Sequence, residues 1–247
     1  MKKYLLISVM VILIISVIVI IFFLSKKDNT LTGAIKKNDP EIEKLVTISQ
    51  SEISAFVFVT QESQSDHRLN INLTPFLNLD IAEKEIKSFF IRNFKSKGQT
   101  GEVILIPPTD IPIDTVSRTF LFTVADTIKQ SDIVSKGDSI EYEVVSQVTK
   151  YNQVRSKESI SPYFGIIIKN VGTVNYKEIF ERDGVFDGLK YLEYSGISLN
   201  KLDTEIQFDV YIEFTDSSKY AKRFKTILTG ELFATQTAPL LPLEVVE

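Results

Sequence analysis

Cysteine and tryptophan are absent from this 247-residue chain, histidine occurs once, and there are only ten glycines and eight prolines. Without cysteine there is no disulfide framework, no thiolate metal site, no cysteine nucleophile and no lipid-modified cysteine. A single histidine, His67, removes every site that needs two histidine ligands and leaves general acid and base work to carboxylates, lysines or tyrosines. His67 lies in a polar stretch and reads as an exposed turn residue. The lack of tryptophan takes away the usual ring of a sugar-binding platform, although tyrosines can substitute. The dipeptide Gly-Lys never occurs, so there is no glycine-rich phosphate loop. A formal net charge of −4 lacks the basic face that nucleic acid requires.

The strings that come nearest to catalytic motifs are each incomplete. Gly196-Ile197-Ser198-Leu199-Asn200 and Gly137-Asp138-Ser139-Ile140-Glu141 lack the last glycine of a nucleophile elbow. Ser198 and Lys201 form an S-x-x-K string with neither K-T-G nor S-D-N beside it. Asp183-Gly184-Val185-Phe186-Asp187-Gly188 puts Val185 where a calcium loop needs an oxygen ligand, and two tight turns account for it better. The acidic pairs Glu141 with Glu143 and Glu205 with Asp209 stand at even spacing on strand-like segments, as on a solvated face. No catalytic residue, cofactor site or metal site is therefore assigned.

What the chain does have begins with a long apolar run. The 20 residues from Leu5 to Leu24 hold no charge, and Ser8 and Ser16 are their only polar side chains. As a helix they cover roughly 30 Å of hydrocarbon, enough for one full crossing of the lipid bilayer. No small-residue cleavage site follows, so the run reads as a signal anchor rather than a removable leader. Lys26, Lys27, Lys36 and Lys37 outnumber Lys2 and Lys3, against a translocated C-terminus. Long domains cross largely regardless of charge, however, so the expected place of the C-terminal domain is extracytoplasmic.

After the anchor (1–24) and a juxtamembrane spacer (25–50), residues 51–112 read as a ββαβ subdomain. Strands are expected at 53–60 and 68–73, around a polar loop at 61–67. An amphipathic helix is expected to begin at Asp80, with Glu83 as its capping-box partner and Ile86, Phe89, Phe90 and Phe94 on one stripe. A strand at 102–106 is stopped by Pro107 and Pro108. Residues 113–235 read as a β-sandwich with strands at 119–124, 139–148, 163–169 and 205–215, and residues 236–247 as a tail. In the last hairpin, a three-residue loop of Asp216, Ser217 and Ser218 would set Val210 opposite Phe224 and Asp209 opposite Lys225. Between 170 and 203 lie two helical patterns, in which Phe186, Tyr191 and Tyr194 form a candidate partner-binding patch unless the segment is a crossover helix packed on the sandwich.

The fold class that follows is mainly β (α+β): an N-terminal transmembrane helix, then a β-sandwich, immunoglobulin-like in general shape, with one or two helices. The expected function is protein interaction or assembly at the cell envelope, with the lipid bilayer and an unidentified protein as partners. The alternative is a membrane-tethered hydrolase that uses paired carboxylates.

Overall fold

A computed structural model describes residues 37–61, 63, 66–107, 134–143, 159–160, 164–184 and 188–246. The candidate anchor at residues 5–24, the expected strand at 119–124 and Phe186 lie outside them. Among the described residues, no helix is long and apolar enough to cross a membrane. All of the described residues fall within one compact unit, Ala34–Glu247.

Two antiparallel sheets account for most of the described chain. The first contains β1 (Val46–Gln61), β2 (Asp66–Ile81), β4 (Glu102–Ile106), β7 (Ser159–Ile160), β8 (Gly165–Asn175) and β11 (Leu240–Pro242). Its order is β11-β1-β2-β8-β4, with β7 also paired to β2. The second contains β3 (Ile86–Gly98), β5 (Val134–Lys136), β6 (Ser139–Glu143), β9 (Thr204–Phe214), β10 (Lys219–Leu228) and β12 (Glu244–Val246), in the order β12-β10-β9-β3-β6-β5. Each sheet takes strands from both sides of residue 112. Residues 51–112 and 113–235 therefore share a single core.

Period-two alternation builds that core. In β2, Leu69, Ile71, Leu73, Leu77 and Leu79 point inward and are fully or almost fully buried. Ile206, Phe208, Val210, Ile212 and Phe214 do the same from β9. Each such side chain contributes roughly 1.5 to 3 kcal/mol when removed from water. The Phe164 ring, just before β8, meets Phe208 edge-on at 5.0 Å between centroids, and Phe208 stacks on Phe224 at 5.9 Å.

The structure departs from the sequence expectation in β3 and in the last hairpin. The segment carrying Ile86, Phe89, Phe90 and Phe94 is the strand β3 and not a helix. Its pairing with β9 shifts between Ile86 and Ser88 and again between Arg92 and Lys95. Each bulge adds a residue and breaks the period of two, so the buried side chains recur at spacings that imitate a helix. Asn93 takes φ of 53° at the second bulge, a conformation that asparagine tolerates better than most residues. In the last hairpin, Val210 stands opposite Lys222, Asp209 opposite Arg223 and Phe208 opposite Phe224. The inward face is the expected one, but the register is two residues away because the connection runs from Thr215 to Ser218. The Phe214 amide donates to the Ser218 carbonyl, and Ser217 has φ of 67°.

The two ends of the described chain hold the edges. Asp39 caps the one-turn helix α1 (Pro40–Glu43) by accepting from the Glu41 amide at 2.9 Å. The Asn38 side chain pairs with Ala221 of β10 as a strand would: it donates to the carbonyl at 2.9 Å and accepts from the amide at 2.7 Å. The expected tail at 236–247 carries β11, which pairs with β1, and β12, which pairs with β10. Leu243, buried between these two strands, donates its amide to the Ser51 carbonyl at 3.1 Å.

Candidate functional site

The expected 170–203 insertion starts later than its sequence suggests, because β8 runs to Asn175. Helices α2 (Tyr176–Asp183) and α3 (Gly188–Ser195) follow. Gly188 brings α3 close to β1: a Cβ there would lie 3.0 Å from the Val57 Cβ. Ile179 and Leu192 are buried, and Tyr191 is only 5% exposed. Tyr194 is half-buried and stacks under the Arg182 guanidinium at 4.1 Å. Of the three aromatics proposed for partner binding, Tyr191 lies in the core and Tyr194 is half-buried, packed against that core. Phe186 is outside the described residues.

His67 is corrected from an exposed turn residue to a β2 residue only 8% exposed, paired in register with Gln61 and Val174. Ser198 donates its hydroxyl to Asn200 at 2.9 Å, which ties it to the local turn. Among the described residues, no group of three or more histidines or carboxylates is placed to hold a metal ion.

The chemistry that stands out lies on the faces of the two sheets that point away from the shared core. On the second sheet, one row across the strands reads Arg223, Asp209, Arg92. Asp209 is 0% exposed, against the sequence expectation of a solvated acidic face. The Arg223 Nε donates to Oδ1 at 2.6 Å and Nη2 donates to Oδ2 at 2.8 Å. Asn93, aimed by its bulge, donates to Oδ2 at 2.7 Å. Three donors on one carboxylate compensate a burial that an unpaired charge would not survive. The hydrogen bond to Asp209 holds the guanidinium of Arg223 above its ordinary value. Burial, and then the Asp209 charge, push the Tyr211 hydroxyl up. Arg92 lies over the Phe90 ring at 4.6 Å and the Tyr211 ring at 5.6 Å. Nearby, Lys87 pairs with Glu213 at 2.9 Å and Lys225 with Glu205 at 2.8 Å.

The first sheet meets the same problem without charges. Down the outward side of β2 come Arg68, Asn70, Asn72, Thr74, Phe76, Asn78 and Asp80. The β1 residues opposite are Thr60, Phe58, Phe56, Ser54, Glu52 and Gln50. Asn70 donates to Thr60 Oγ1 at 3.0 Å and accepts from the Asn170 amide at 3.0 Å; Asn170, like Asn93, has positive φ at a bulge. Asn78 donates to Gln50 at 2.6 Å. Asn72 is 0% exposed and donates to Thr74 at 2.9 Å, while its Oδ1 has no hydrogen-bond partner among the described residues. The sequon Asn72-Leu73-Thr74 is thus closed to glycosylation in the folded state. Half-buried Phe56 and Phe58 lie 6.1 Å apart on this face, and Ile167 and Ile104 continue the Asn72 row on the far side. Leu240, opposite Ser54, is 60% exposed.

This face was missed in the sequence because Asn70, Asn72 and Thr74 alternate with the core leucines and isoleucine and look like an ordinary wet side. Burial of the amides between aromatic and branched side chains of neighbouring strands is a property of register, which only the paired sheet displays. Compared with protein-family models, with curated proteins and with solved structures, the chain matches none.

Proposed function

We propose that this chain is a single-pass membrane-anchored protein that presents its β-sandwich, immunoglobulin-like in general shape only, for protein interaction or assembly at the cell envelope, with the domain on the extracytoplasmic side. Support for the anchor is the uncharged run of residues 5–24. Support for interaction is the outward face of the first sheet, where half-buried Phe56, Phe58 and Phe76 and the exposed Leu240 lie around buried amides. Aromatic rings around a core poor in charge, with polar groups at the margin, form the usual composition of a protein-binding patch. The hydrolase reading is less favoured because the buried carboxylate Asp209 is bound by Arg223 and Asn93 rather than facing a second carboxylate.

The test compares two faces of one protein. Replacing both Phe56→Ser and Phe58→Ser should remove partners that copurify with the detergent-solubilised full chain, whereas Arg92→Ala on the other sheet should leave them. Circular dichroism would verify that all variants stay folded. Retention of every partner by the double serine variant would refute the assignment of this face.

A further inference from the structure

We draw no further inference here: the strongest candidate, the outward face of the first sheet, whose Asn70, Asn72 and Thr74 row is already buried within the single chain, belongs to the site already described, and nothing in the structure shows what covers it.

Discussion

The outward faces of the two sheets bury polar groups to a similar depth by different means. At the centre of the second sheet, Asp209 is held by three donors in a lattice of alternating cations and carboxylates. At the centre of the first, Asn72 keeps one bond and leaves its carbonyl oxygen without a partner among the described residues. A charge must be fully compensated before it is buried, whereas an amide can be left half satisfied at modest cost. The first face thus keeps unused hydrogen-bonding capacity, and the second has spent its own on itself.

The largest expected difference comes from neutralising the two central residues. Asp209→Asn should destabilise the protein by about 3 to 5 kcal/mol, because Arg223 is left buried without its counter-charge. Asn72→Val should change stability by less than about 1 kcal/mol in either direction, since it exchanges a poorly satisfied amide for a good strand former. Chemical denaturation of both variants measures this. Similar losses would mean that the two faces are not built on different principles.

Acid should also separate the faces, with a smaller effect. Lys87 and Lys219 hold the Glu213 carboxyl below its ordinary 4.5. Burial raises Glu43, but hydrogen bonds from Lys222 and Asn38 outweigh it and leave that carboxyl lowered as well. Lys84 and Ser218 lower Asp216 in the same sense. Folded values below the unfolded ones mean that this stability is complete above about pH 5. It is lost as the pH falls through the lowered values. All three carboxylates bind lysines around β3, β9, β10 and α1, and none lies on the outward face of the first sheet. Melting temperature followed from pH 7 to pH 3 should fall below pH 5, and Lys222→Met should flatten part of that fall. An unchanged profile in Lys222→Met would show that the Glu43 pair contributes nothing.

The smallest effect is expected at Arg92. Its guanidinium stacks on Phe90 and Tyr211 at a half-exposed position, so Arg92→Ala should cost about 0.5 to 1 kcal/mol. A double-mutant cycle with Phe90→Leu isolates the stacking part. A coupling near zero would make Arg92 a solvated charge that happens to lie over a ring.

Much of this architecture was legible before any strand was paired. Alternation in residues 205–215 identified a half-buried strand and its inward face, because side-chain parity survives any even shift of register. The shift itself was not legible, since a four-residue turn and a three-residue turn draw on the same Asp, Ser and Ser. β3 was misread for a physical reason: two bulges space Ile86, Phe89 and Phe94 as a helix would. The buried Asp209 was hidden because its rescuers, Arg223 and Asn93, lie 14 and 116 residues away in sequence. The helical nature of the 176–195 segment was visible, and so was the alternative that it packs on the sandwich, which the burial of Tyr191 and Leu192 favours.

Residues 240–246 form the border strand of both sheets, turning from one to the other at Leu243. Synthesis runs from the N-terminus, so β1 and β10 each wait for their neighbour until this segment has been made. At roughly 5 to 20 residues per second, about 200 residues separate the start of β1 from that point, a delay of roughly 10 to 40 s. Throughout it the β1 edge stays open, and the β10 edge joins it only for the short stretch after Leu228; an open edge is the state most easily captured by a chaperone or by another nascent chain. Among the described strands the latest made is thus also the latch, and the interval before it arrives sets how long the growing domain needs an escort.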